Sequence, residues 1–541
     1  MPDQTSDRAG VREWAGLAAL SLPTILLTLD LTVLHLALPK LSATLEPSST
    51  EMLWIADIYG FAIAGLLIFM GSLGDRIGRK RLLLFGAGAF AAVSVVAAYS
   101  QSTEMLIAAR AVLGVAGATL MPSTLAIIRN MFHNETQRGY AIAIWMTSFM
   151  LGGALGPVVG GVMLNWFWWG SVFLMAVPVM GLLLILGPAL LPESRDPSPG
   201  RIDLLSVVES IAAMLLLVYG IKETAQSGFS GTSLAVIVAG LLIGAVFVRR
   251  QTHLSDPLLD LKLFRRRRFS TAVTVQLLAF FTMGGIQLFV MQYLQLVLEF
   301  SPLHAGLWSM PSALVSIVAS MSAPALAART SQAAVITGGF LIGAAGMGLL
   351  ALTTADSGVG WIVLAFVVFS IGLAPVFSLG AGLVVGTAPP ERAGAASAIQ
   401  ETSGEIGLAA GMAVLGSVGM AVYRGRLEDA GPGVLERGVL EPGVLERGVL
   451  ERGVLEPGVL ETAKETLAGA VTAGERLGGT SGAALVDAAQ EAFVRGFAVI
   501  SAISVAVLLA AALAVVLALR GARAQHPEAP EDNARPKNVT T

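Results

Sequence analysis

Along this chain apolar residues come in runs of about 20, parted by short charged turns. Runs of about 18 or more predict roughly fourteen membrane-crossing helices. They fall at 15–38, 52–73, 82–100, 104–128, 139–163, 168–191, 203–222, 232–250, 269–298, 303–328, 332–353, 359–386, 393–423 and 493–520. Helices are required because hydrocarbon offers no partner to a free N–H or C=O, and a closed barrel would show short alternating strands instead. The first run follows a polar stretch, is too long for a signal-peptide core and leads into further spans, so it reads as a span and not a cleaved leader.

Lys and Arg predict the orientation. The loops after odd-numbered spans hold only Lys40 and Lys222 until the last one, whereas the loops after even-numbered spans hold Arg76, Arg79, Lys80, Arg81, Arg129, Arg249, Arg250, the run Arg265 to Arg268 and others. The positive-inside rule then puts both termini in the cytoplasm and the long segment 424–492 outside. That segment carries a Gly-Val-Leu-Glu repeat from Gly433 to Glu461. Its regular Gly and two Pro oppose a stable helix, and it reads as a low-complexity insertion. Stretches 462–477 and 483–493 have helical periodicity and predict an external hairpin, and the polar tail from Gly521 is expected to be disordered.

Composition sharpens the picture. The 541 residues are 55% hydrophobic and 13% charged, far too apolar for a soluble fold, and the net charge of -3 gives no support for a nucleic-acid partner. The absence of Cys excludes disulfides, thiol catalysis and Cys-ligated zinc. The His residues at 35, 133, 253, 304 and 526 have no metal-ligand spacing, and no phosphate-binding loop or hydrolase motif appears. An enzyme is therefore not expected, and neither is a cofactor or a metal; a gradient or a partner protein must drive any work.

Ionisable residues inside spans are the informative ones, because each costs at least about 2.5–3.5 kcal/mol to insert. Asp30 lies in span 1, Asp57 in span 2, Arg110 in span 4, and Glu401 with Glu405 in span 13. The last two are one turn apart on one helix face, so they repel when both are ionised, and a carboxyl so placed can exchange a proton for a cation. Asp30, Asp57 and Arg110 fall at similar depth, where a guanidinium can pair with a carboxylate that protonation would release. Structural pairing alone is the rival reading. Trp54, Tyr59, Trp145, Phe149, Phe281 and Met291 are candidates for a pocket that accepts flat cations on aromatic faces and a thioether; ordinary helix packing is the alternative.

Several motifs carry a family resemblance. Gly71-Ser-Leu-Gly-Asp75-Arg76-Ile-Gly78-Arg79-Lys80-Arg81 between spans 2 and 3 resembles the signature loop of the major facilitator superfamily, and Leu106 to Ala118 with Arg110 resembles its span-4 motif, with Leu113 where Gln is usual. Gly152-x-x-x-Gly156-Pro157-x-x-Gly160-Gly161 is similar to the antiporter motif of span 5, and Leu29-Asp30-x-Thr32 to the span-1 motif of drug:proton antiporters. Fourteen spans together with Trp54 to Tyr59 and the Glu401/Glu405 pair resemble the drug:H+ antiporter-2 family, with its quaternary-ammonium exporters and a mycobacterial-type multidrug efflux pump. The resemblance implies an all-α membrane fold of two six-helix bundles plus two inserted helices, with residues 1–200 as the first bundle, 201–262 as the inserted pair and 263–541 as the second bundle.

It also implies a monomeric, proton-coupled multidrug antiporter of the cytoplasmic membrane, exporting amphipathic cationic drugs, dyes and antiseptics by alternating access. Protons, lipophilic cations and the bilayer are its partners. Asp30, Asp57, Glu401, Glu405 and Arg110 would carry coupling and recognition. Gly71, Asp75, Arg76, Gly78, Arg79 and Arg129 would form a cytoplasmic gate, with Arg129 the expected partner of Asp75, and the Gly and Pro of span 5 would permit close approach and a bend. Divalent substrates are in doubt because span 10 offers Ser312 and Ser316 and position 400 is Gln. A dedicated exporter of one endogenous product, or an envelope lipid-handling protein whose outer insertion recruits a partner, are the rivals. Deleting residues 433–461 separates the last of these: drug export in an efflux assay should be nearly unchanged, whereas the lipid-handling reading requires its loss.

Overall fold

The computed structural model describes residues 9–45, 47, 49–195, 203–227, 230–254, 257–259, 261–389, 393–439, 463–464 and 466–520. The first half of the chain forms α1 (Val11–Leu45), α2 (Ser49–Ile77), α3 (Arg79–Ala98), α4 (Thr103–Met131), α5 (Glu135–Trp166), a one-turn α6 (Ser171–Leu174) and α7 (Ala176–Leu190). A hairpin follows, α8 (Leu204–Ser227) and α9 (Gly231–Gln251). The second half forms α10 (Arg267–Gln292), α11 (Pro302–Arg329), α12 (Gln332–Ala351), α13 (Val359–Thr387), α14 (Ala393–Val439), α15 (Leu467–Leu477) and α16 (Gly479–Arg520). Among the described residues thirteen helices are long and apolar enough to cross a membrane, or fourteen when α5, bent by 43° between Glu135–Gly153 and Val158–Trp166, is counted as one span. No strand occurs among the described residues.

Helix starts follow side-chain chemistry. Ser102, Asn134, Ser301, Ser331 and Thr466 each accept an N–H from the first turn of the helix they precede, and Ser230 and Ser233 form a reciprocal box at the start of α9. The helices outrun the apolar runs. Span 13 continues to Val439 as α14, so the first residues of the repeat are helical against expectation. They extend a helix that is already nucleated, where each added residue gains a hydrogen bond without a new nucleus. The rest of the repeat and the polar tail lie outside the described residues. The expected hairpin near the last span is α15 packed on the first turns of α16, where Gly474 and Gly482 meet backbone to backbone.

One pairing plan is used twice. In the first half α1 packs on α5, α2 on α4, and α3 on α4 and α7; in the second α10 packs on α14, α11 on α13, and α12 on α13 and α16. The halves meet where α2 lies on α14 and α5 on α11, and α8 rests on both α2 and α14. Apolar burial against lipid gives no net drive, so these contacts depend on small residues that let backbones approach. A Cβ on Gly152 would collide with Thr28 Oγ1 and the Ile25 carbonyl, and one on Gly156 with Thr32 Oγ1, which seats α5 on α1. Gly161 meets nothing within 4 Å, so it takes no part in that seam. In the second half Gly407 sits against the Leu277 carbonyl and Gly411 against that of Phe281, while Gly284 of α10 faces the Leu408 carbonyl in return.

These contacts predict a contrast within one helix. Gly411→Leu should destabilise the detergent-solubilised protein by about 1–3 kcal/mol through overpacking. Gly416→Leu, where a Cβ meets nothing within 4 Å, should leave thermal unfolding unchanged.

Candidate transport site and gate

The loop between α2 and α3 is a single residue, Gly78, at φ 111°. That conformation is costly for a residue with a Cβ, and a Cβ here would also lie 2.6 Å from Glu193 Oε1. The tight turn places Asp75, on the last turn of α2, against the start of α14. Asp75 accepts the N–H groups of Gly394 and Ala395, each at 3.0 Å, and Arg79 Nε donates to its Oδ1 at 2.7 Å. A carboxylate from one half thus caps the helix N-terminus of the other, where free N–H groups and the helix dipole favour negative charge. Gly71, one turn earlier, brings the backbones together: its Cβ position is 2.6 Å from Ala398 Cβ and 2.7 Å from the Gly394 carbonyl. The expected Asp75 partner, Arg129, reaches the Ala388 carbonyl at the end of α13, while Arg79 makes the ion pair. Arg79 also donates to Ser194 Oγ, as Asn130 does, and Arg81 lies 3.7 Å from Glu193. Residues 193–194 therefore belong to this cluster. In sequence they are marked only by their place after Pro192 at the end of an apolar run.

Deeper in the first half, Arg110 is fully buried and donates from Nη1 to Asp30 Oδ2 at 2.8 Å and from Nε to the Ile55 carbonyl at 3.2 Å. Its guanidinium carbon stands 4.6 Å from the centre of the Tyr59 ring. Three helices, α1, α2 and α4, thus share one cation. Two polar atoms around it, Arg110 Nη2 and the Tyr59 hydroxyl, have no hydrogen-bond partner among the described residues. Removing Asp30 would leave an uncompensated buried charge, at a cost of about 3–5 kcal/mol.

Across the interface, Glu401 is buried on α14 and its Oε1 has no hydrogen-bond partner among the described residues. Glu405, one turn on, is half-buried, and its charge acts both on Glu401 and on Tyr59 of the opposite half. The acid pair therefore lies near Tyr59, across the interface from the Asp30–Arg110 pair. The side chains of Asp57 and Pro157 lie outside the described residues.

The aromatic candidates divide. Trp145 is buried, donates to Thr124 Oγ1 at 3.1 Å and lies 6.3 Å from the Phe149 ring, both on α5. Tyr59 is packed beneath Arg110. Trp54 faces the other way, stacked 6.5 Å from Tyr219 of α8, because its position on α2 looks outward to the inserted hairpin. Phe281 and Met291 are half-buried on α10. Gln276 of α10 was not anticipated: it is fully buried, donates to the Phe377 carbonyl at 3.2 Å and keeps Oε1 unpartnered among the described residues. An amide within a long apolar run was the available signal.

Residues 20–412 match the family model described as Major Facilitator Superfamily. The chain belongs to the major facilitator superfamily. Among curated relatives of this superfamily member, the multidrug efflux pump LfrA of Mycolicibacterium smegmatis is 40% identical over 517 residues, covering 95% of this chain and 98% of that one. The methyl viologen resistance protein SmvA of Salmonella typhimurium is 36% identical over 409 residues, covering 75% and 82%. Among solved structures, the human organic anion transporter MFSD10 (TETRAN) shares the fold, with a TM-score of 0.56 at 17% identity over 75% of this chain and 93% of that one. A multi-pass transporter fold is what this sequence builds.

The Asp75 contact generates a labelling experiment that the Cys-free chain makes clean. Ser397→Cys, at a fully buried position four residues into α14, should resist maleimide in the parent background. Adding Asp75→Asn should speed its labelling severalfold, as the cap on α14 weakens.

Proposed function

We propose that the chain is a proton-coupled exporter of amphipathic cationic drugs in the cytoplasmic membrane, with both termini in the cytoplasm. The observation that carries this reading is the buried Glu401 carboxylate, which has an oxygen unpartnered among the described residues and a second carboxylate one turn away. In hydrocarbon such a group needs a proton or a cation, and an exporter needs a site that takes one in exchange for the other. The name of the relative SmvA supports a cationic substrate, since methyl viologen is a flat dication. The name of LfrA supports a broad range.

In this reading Glu401 and Glu405 bind substrate and proton in turn. Asp30 and Asp57 respond to the same proton, and its arrival on Asp30 releases the pair with Arg110. Trp145 and Phe149, with Phe281 and Met291, supply apolar and aromatic contact, while Trp54 belongs to the α8 seam. Asp75, Arg76, Gly78, Arg79 and Arg129 close the cytoplasmic gate, and the Asp75 cap is a contact that must part for the gate to open. Residues 1–200 and 263–541 move against each other as two bundles, with 201–262 riding between them. Moving one charge across 100 mV is worth about 2.3 kcal/mol, so one proton per monovalent cation leaves only the pH gradient to do work, and two protons recover the electrical term.

The test is dye transport in proteoliposomes under an imposed pH gradient, comparing wild type with Asp30→Asn, Asp57→Asn and Glu401→Gln. Each variant should lose most of the gradient-driven flux. If all three match wild type, the carboxylate roles are wrong, and if wild-type flux ignores the gradient, proton coupling is wrong.

A further inference from the structure

The inserted hairpin has chemistry that neither the gate nor the central charges use. Its outward side carries an open groove of about 340 Å³, within the size range of small-molecule sites, lined by Val208, Glu209 and Ala212 of α8 and by Leu242, Ile243 and Val246 of α9. Val208, Leu242 and Val246 are all more than half exposed, and α9 is the least buried of the crossing helices, so the groove opens to lipid. Its walls present carbon throughout; Glu209 lines it with its aliphatic stem, while its Oε2 is covered and has no hydrogen-bond partner among the described residues.

The guanidinium whose charge reaches Glu209 is already engaged by another carboxylate. Arg250 donates to Asp203 from Nε at 2.6 Å and from Nη2 at 3.1 Å, and Ser206 donates to the same carboxylate at 2.6 Å. The Arg250 bonds, with that of Ser206, hold the Asp203 carboxyl well below its ordinary range. The Arg250 charge also acts on Glu209, so one guanidinium answers two carboxylates and is already forked onto the first. Arg249, the adjoining residue, is exposed at the end of α9.

Depth selects the occupant. Asp203 and Arg250 sit at the ends of the two apolar spans, and Glu209 lies six residues beyond Asp203, roughly 9 Å deeper at 1.5 Å per residue. A phospholipid placed here would set its phosphate, or the glycerol below it, beside Glu209, and a headgroup amine would lie farther out. A lipophilic cation places its charge just below the headgroups with apolar groups inward, which matches a carbon-walled groove with a carboxylate beneath. In low-dielectric surroundings a charge a few ångströms away is felt strongly even without direct contact.

We propose that the outer face of the α8–α9 hairpin is a lateral docking site for amphipathic cations dissolved in the adjoining leaflet, with Glu209 as its countercharge. This rests on the export reading above: the groove gathers substrate from the membrane, and the central carboxylates move it. Glu209 is a positioning residue that raises the local concentration of cargo and takes no part in the exchange of protons.

Two measurements test it. In proteoliposomes, Glu209→Gln should raise the apparent KM for tetraphenylphosphonium about fivefold or more while leaving its maximal rate unchanged, and should leave methyl viologen transport untouched. Ala212→Phe, which fills the groove without altering charge, should do the same. Independently of transport, a photoreactive phosphonium should label the 208–212 segment in wild type and not in Glu209→Gln. The proposal is overturned if neither variant shifts the phosphonium KM, if both cations shift alike, or if labelling ignores Glu209. Loss of labelling on replacing phosphatidylcholine by phosphatidylethanolamine at constant anionic-lipid content also overturns it, because the groove then holds a headgroup amine. Should wild type export neither cation, the export reading fails, and the labelling arm still decides the docking site.

Discussion

Hydrocarbon supplies no hydrogen bonds, and every feature of this molecule answers to that fact. Backbone groups are satisfied within helices, so the chain becomes a set of crossing helices joined by short turns. Because lipid tails are as apolar as Leu, packing cannot rely on hydrophobic drive, and the seams are made by Gly152 and Gly156 of α5 against α1, and by Gly407, Gly411 and Gly284 between α14 and α10. Polar side chains that remain inside must then be answered by the protein. Arg110 is answered from two neighbouring helices, α1 and α2, and Asp75 is answered by two backbone N–H groups and Arg79. Glu401 is left incompletely answered among the described residues, which is why the proposed exchange centres there.

The Asp75 cap joins two levels of the structure. A turn of one residue at Gly78 fixes where α2 ends, and the end of α2 fixes a carboxylate on the start of α14. The same segment of α14, two turns on, carries Glu401. A change at the cap and a change at the acid pair are therefore changes to one rigid helix.

Much of this was legible in the sequence because the bilayer imposes a coarse rule. Spans follow from run length, and caps such as Ser102 and Asn134 mark where helices begin. Ionisable residues stood out for the same reason, and Asp30 with Arg110 fell at matching depth. What escaped notice depended on rotation about the helix axis, which an apolar run does not encode. All faces of these helices are hydrophobic, so nothing in the pattern told that Trp54 looks toward α8 while Trp145 looks inward, or that Gly161 lies off the seam that Gly156 makes. Partner choice was equally hidden: Arg79 and Arg129 are both basic residues at one end of the bundle, and only the tight turn at Gly78 decides which reaches Asp75.

The doubled pairing plan is broken at one place. The two seams between halves, α2 on α14 and α5 on α11, are equivalent by that plan, yet only the first is roofed by α8. A helix seated on both halves cannot keep both seats when they turn against each other, so it must slip on one. In the proposed motion, opening on the α2–α14 side drags α8 through the surrounding acyl chains, while the α5–α11 seam carries no such roof among the described residues. Membrane fluidity and lateral pressure then bear unequally on two otherwise matched fissures, and the protein acquires a sidedness in the plane of the bilayer that its internal symmetry alone would forbid.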